Sequence, residues 1–198
     1  MKKIILSVAA VFAFGFANAQ EEVKEKGNGG FAKGDLFVSG AVGFSSDKTG
    51  DAKGNSFVIE PKVGYFVTEN IAVGAKLGFG SEKEEFAGVD TKDQSSFTVG
   101  AFGRYYMTPA NQFSLFGQLG LDFTNNDDKL ADVKTKEMDI RAGLGLSYFV
   151  SSNFAIEASW AGLGYNTNDN GGNGADKTNT FDLNVDMRAI NFGLVYKF

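Results

Sequence analysis

The chain has 198 residues with 19 basic and 24 acidic side chains, and its 26 Gly and 20 Phe stand against 2 Pro, no Cys and no His. The absence of Cys excludes a disulfide framework, a thiolate metal site and a cysteine-linked lipid anchor; the absence of His removes the commonest general base and transition-metal ligand. A mean hydropathy of −0.13 excludes a bundle of membrane helices, each needing about 20 apolar residues, but not a transmembrane β-barrel, which turns only alternate residues to lipid.

Residues 1–19 have the form of a secretory signal: Lys2 and Lys3, an apolar stretch, then Ala17-Asn18-Ala19. The small-x-small ending predicts cleavage before Gln20. Its removal takes away two lysines and leaves a mature chain of net charge −7, a sign that speaks against nucleic-acid partners. Residues 20–33 are polar and Gly-rich and read as a short flexible periplasmic lead-in. Residues 34–198 form one domain.

In that domain the dominant period is two. Seven alternating runs occupy residues 36–44, 57–65, 71–79, 97–105, 113–123, 138–148 and 154–160. An eighth ends in Ile190, Phe192, Leu194, Tyr196 and Phe198, while Phe181, Leu183, Val185 and Met187 just before it sit on the opposite parity. A β-bulge near Arg188 and Ala189 reconciles the two halves. Three connections are short (67–70, 107–112 and 150–153) and four are long and polar (46–56, 81–96, 124–137 and 166–180). Strict alternation of long and short predicts an all-β, antiparallel, up-and-down transmembrane barrel of eight strands, with both termini on the periplasmic side.

The aromatics separate this from a soluble sandwich. Tyr65, Tyr105, Phe113, Tyr148, Phe154, Tyr196 and Phe198 fall where runs meet short turns; Phe44, Phe57, Phe79, Phe97, Phe123 and Phe181 fall where they meet long loops. All lie on the apolar face, as two interfacial girdles would. A sandwich core has no reason to sort rings by depth.

The opposite face carries Glu60, Asp122, Asp139 and Glu157 against Lys62, Lys76, Arg104 and Arg141, with Gly and Ala filling much of the rest. Balanced charges in so narrow a lumen predict a paired network that holds the barrel closed, rather than a polar path for ions.

The chain resembles the small eight-stranded outer-membrane proteins of the OmpX and OmpA barrel type over about residues 34–198. The resemblance is carried by the terminal strand from Asn191 to Phe198 and by strand ends such as Gly64-Tyr65-Phe66 and Gly103-Arg104-Tyr105-Tyr106. It implies periplasmic chaperones and the barrel-assembly machinery as partners, with Phe192, Leu194, Tyr196 and Phe198 as the insertion signal. It also implies a setting of outer-membrane lipid and lipopolysaccharide, and an extracellular ligand met through the four loops. Barrel enzymes of this size class generally use a His, so no enzymatic activity and no cofactor are expected. Gly171-Gly-Asn-Gly-Ala-Asp176 matches the start of a calcium-binding roll repeat, but one copy has no neighbour to stack on. The functional expectation is structural display or adhesion; the competing one, which OmpW-type relatives suggest, is a narrow channel for small solutes.

Overall fold

The computed structural model describes residues 29–172, 174–183 and 191–198. The predicted secretory segment, its cleavage site and the bulge near Arg188 and Ala189 lie outside the described residues. The strands are β1 (Leu36–Thr49), β2 (Ala52–Phe66), β3 (Ile71–Phe86), β4 (Val89–Tyr106), β5 (Phe113–Asp128), β6 (Val133–Phe149), β7 (Phe154–Asn168), β8 (Thr178–Leu183) and β9 (Asn191–Lys197).

The strands β1 to β7 pair antiparallel with their chain neighbours, and β8 and β9 each pair with β7, at its two ends, as one stave. That stave closes on β1 through pairs running from Phe37 with Lys197 to Gly40 with Leu194. The result is a closed eight-stranded antiparallel barrel. The three short turns stand where the sequence places them. At the first, the Thr68 hydroxyl accepts the Ile71 N–H at 2.9 Å, satisfying a donor that the ladder leaves free.

Parity explains the wall. Val63, Val73, Leu77, Leu119, Leu144 and Ile156 all point outward and stay 41–60% exposed. A water-soluble fold buries such a stripe; a barrel in hydrocarbon presents it.

Three features depart from the sequence expectation. First, three of the four long loops are mostly strand, and the fourth is strand at both ends. Seven strands run 14 to 18 residues, beyond the roughly 9–11 that cross a bilayer. Among the described residues the non-strand links shrink to 50–51, 87–88, 129–132 and 169–172 with 174–177. Polar composition marks these segments as solvated, not as irregular. Ion pairs join them across strands, such as Lys92 with Glu82 at 2.8 Å and Lys129 with Asp93 at 2.7 Å. The tip of the β3–β4 hairpin takes positive φ at Ala87 (51°) and Gly88 (82°), the pair of left-handed residues that a tight primed turn requires.

Second, β7 continues to Asn168 through a bulge. Ala142 pairs with Leu163 but Gly143 with Ala161, so Gly162 is the extra residue. Outward parity passes from Phe154 and Ile156 to Leu163 and Tyr165, which is why simple alternation stops at residue 160.

Third, the end of the lead-in is not free. Phe31 is 2% exposed, inside the short-turn end of the barrel. That end holds the buried core: Phe31, Phe37, Phe66, Tyr106, Phe116 and Phe149, all pointing inward.

Candidate functional site

The lumen is built in tiers, each set by the inward parity of neighbouring strands. The lowest is aromatic. The Phe31 ring stacks on Phe66 at 4.7 Å between centroids, meets Phe149 edge-on at 4.8 Å, and lies 5.4 Å from both Phe37 and Tyr106. Offset and tilted arrangements of this kind suit the ring quadrupoles. Inward glycines make the room. A Cβ on Gly64 would sit 2.2 Å from a Phe37 ring carbon, and one on Gly145 would sit 2.2 Å from Phe116.

Above the rings lies one buried ion pair. Arg104 Nη1 donates to both Glu157 oxygens at 2.9 Å and to the Tyr106 hydroxyl at 3.0 Å. Its Nε donates to Gln118 Oε1 at 2.7 Å. The guanidinium also stands 4.5 Å from the Phe116 ring centroid and 5.1 Å from that of Phe102, a stacking role that suits Arg better than Lys.

The next tier joins Lys76 to Asp122 at 2.7 Å and, more loosely, to Glu60 at 3.7 Å. Farther along, Asp139 accepts from Arg141 Nε at 2.9 Å and from the Asn166 amide at 2.6 Å, while Arg141 also approaches Asp182 at 3.9 Å. Asn126 and Asn168 both donate to Glu137 Oε1, at 2.9 and 2.8 Å. Toward the hairpin end a cavity of about 300 Å³ is lined by Ser56, Gly80, Gln94, Ser96 and Asn126 among others.

The eight charges singled out from the sequence thus form separate groups along the lumen, not one network. Lys62 joins none: it pairs in register with Lys76, and among the described residues it makes no hydrogen bond or ion pair. Alternation also misses the aromatic tier. Its signal is a doublet at the short-turn end of a strand: Leu36-Phe37, Tyr65-Phe66, Tyr105-Tyr106, Leu115-Phe116 and Tyr148-Phe149. The first ring or aliphatic group faces out and the second faces in.

The aromatics marked for the girdles lie on the outer wall. Tyr65, Tyr105, Phe113, Tyr148 and Phe198 are exposed near the short turns; Phe44, Phe97, Phe123 and Phe181 are exposed toward the hairpins. Phe57, Phe79, Phe154 and Tyr196 are half-buried, Phe79 against Phe97 at 5.1 Å and Phe154 against Tyr196 at 6.0 Å. On β9, Phe192 and Leu194 point outward. Among the described residues no three Asp or Glu side chains converge as a metal site.

A closed eight-stranded barrel with an apolar outer wall and a polar face turned inward defines the class: an integral outer-membrane protein. The chain belongs to the outer membrane protein beta-barrel domain family, whose model matches residues 6–198. Its place is the outer membrane of a Gram-negative bacterium. Among solved structures it is similar to the outer membrane protein OprG from Pseudomonas aeruginosa, at 16% identity and a TM-score of 0.51, over 85% of this chain and 98% of that one. Neisserial surface protein A aligns at 15% identity and a TM-score of 0.47, over 84% and 100% of the two chains. The N-terminal barrel of Pseudomonas aeruginosa OprF aligns at 16% identity and a TM-score of 0.44, over 85% and 100%. A search of curated protein sequences finds no match.

Proposed function

We propose that this protein is a non-enzymatic outer-membrane barrel that is closed to solutes and holds stiff polar hairpins outside the cell, where they contact an extracellular partner or support the envelope. The observation that carries the closed lumen is the stack of the aromatic tier under the Arg104–Glu157 pair. A solute would have to displace packed rings and then desolvate a buried charge pair, both of which are costly. The absence of His from the whole chain supports a role without acid–base catalysis.

Reconstitution of the mature protein into planar bilayers tests the closed barrel. No conductance steps are expected. Reproducible steps that change when Arg104 or Glu157 is substituted would establish the narrow channel in its place.

The outward aromatic rows serve, in this proposal, as the two interfacial girdles, and Phe192, Leu194, Tyr196 and Phe198 as the signal read by the assembly machinery. Deleting Phe198 should lower the amount of heat-modifiable barrel in outer membranes. Normal assembly without it would remove that role. Contact with lipopolysaccharide follows from the same placement, since the hairpins leave the wall at the outer-leaflet girdle.

A further inference from the structure

We propose that residues 29–33 are an assembly latch: a strap that seats only after the barrel has closed and then braces its seam. The strap crosses the short-turn mouth and touches walls far apart in the chain. The Phe31 N–H donates to the Pro109 carbonyl at 2.6 Å, in the β4–β5 turn. By strand order that turn stands four staves from the β1–β9 seam in either direction, at the opposite side of the barrel.

At the seam itself Lys197 of β9 donates to the Gly30 carbonyl and lies 3.5 Å from Asp35, while Asp35 accepts the Ala32 N–H at 2.9 Å. The ring pocket draws Phe37 from β1, Phe66 from β2, Tyr106 from β4 and Phe149 from β6. No two or three staves make that pocket. Those rings stand on strands from β1 to β6, and the Lys197 contact to Gly30 adds the last strand, so the strap's full set of contacts exists only once the first and last strands have met and, being highly non-local, forms late. The strap's backbone is made for this place. Gly30 has φ +138°, and a Cβ there would meet the Ala110 carbonyl oxygen of the β4–β5 turn at 2.4 Å, so alanine would push the strap off that turn while leaving the strand pairing of the barrel in place.

The chain has no cysteine, so Phe31→Cys places a single thiol in the pocket of the full mature protein. During refolding into detergent micelles, its protection from a maleimide should arise with or after the compact, heat-modifiable gel band. Protection ahead of that band would overturn the latch. Adding Gly30→Ala should raise thiol labelling at least tenfold while the compact band persists; unchanged labelling would count equally against it. In the chain that keeps Phe31, Gly30→Ala alone should lower the temperature at which the compact band converts by several degrees, and an unchanged temperature would remove the bracing role. None of these readings depends on whether the lumen conducts.

Discussion

Arg104 and Glu157 meet inside the barrel although 53 residues separate them in the chain, with one guanidinium nitrogen 2.9 Å from each carboxylate oxygen. They are 4% and 6% exposed, so each is the other's main compensation for lost water. Removing one partner leaves a buried charge alone. Arg104→Met or Glu157→Gln should each destabilise the folded barrel by about 3–5 kcal/mol. The double variant should cost less than the sum of the two. Denaturant unfolding in micelles measures this, and single losses below about 1 kcal/mol would mean that the pair is solvated.

Glycines on the two faces of the wall should respond differently. Gly64→Ala and Gly145→Ala place a Cβ into the Phe37 and Phe116 rings and should cost about 1–3 kcal/mol from overpacking. Gly103→Ala and Gly117→Ala meet nothing within 4 Å and should be near neutral. Equal losses at all four positions would contradict the inward placement of the rings.

Ser147 is 1% exposed, and its hydroxyl has no hydrogen-bond partner among the described residues. A buried hydroxyl without a partner costs on the order of 1–3 kcal/mol. Ser147→Ala should therefore raise stability, read as a higher unfolding midpoint. A lower midpoint would show that the hydroxyl is used.

Asp128 supports the end of the β5–β6 hairpin. The Gln94 amide, then the Ala131 and Leu130 N–H groups, hold its carboxyl below the usual carboxylate range. A depressed folded value means that the support is present above the unfolded value of about 3.9 and is lost as pH falls through the folded one. Amide exchange at Leu130 and Ala131 should stay slow at pH 5 and quicken below the carboxylate range. Asp128→Asn should weaken this pH dependence; an identical profile in that variant would assign it elsewhere.

Alternation along the chain made the wall, its lipid face and the short turns legible, because a strand's period of two is a local property. The lumen was legible only in part. Lys76 with Asp122, or Arg104 with Glu157, can be listed as inward charges from parity, but partner choice depends on stave order and register. The burial of Phe31 had no local signal, since its pocket comes from four strands. Gly162 hid the upper half of β7 by reversing parity, and the projecting hairpins looked like loops because polarity reports solvation and not backbone geometry.

The β3–β4 hairpin continues its membrane ladders outward, paired with β2 on one side and β5 on the other as far as Phe86 and Gln94. A load applied at Ala87 and Gly88 along the barrel axis would therefore act on two flanking ladders in shear, many hydrogen bonds at once, rather than peeling them singly. Tension applied at the tip would pass through the hairpin into the barrel wall rather than unravelling the turn.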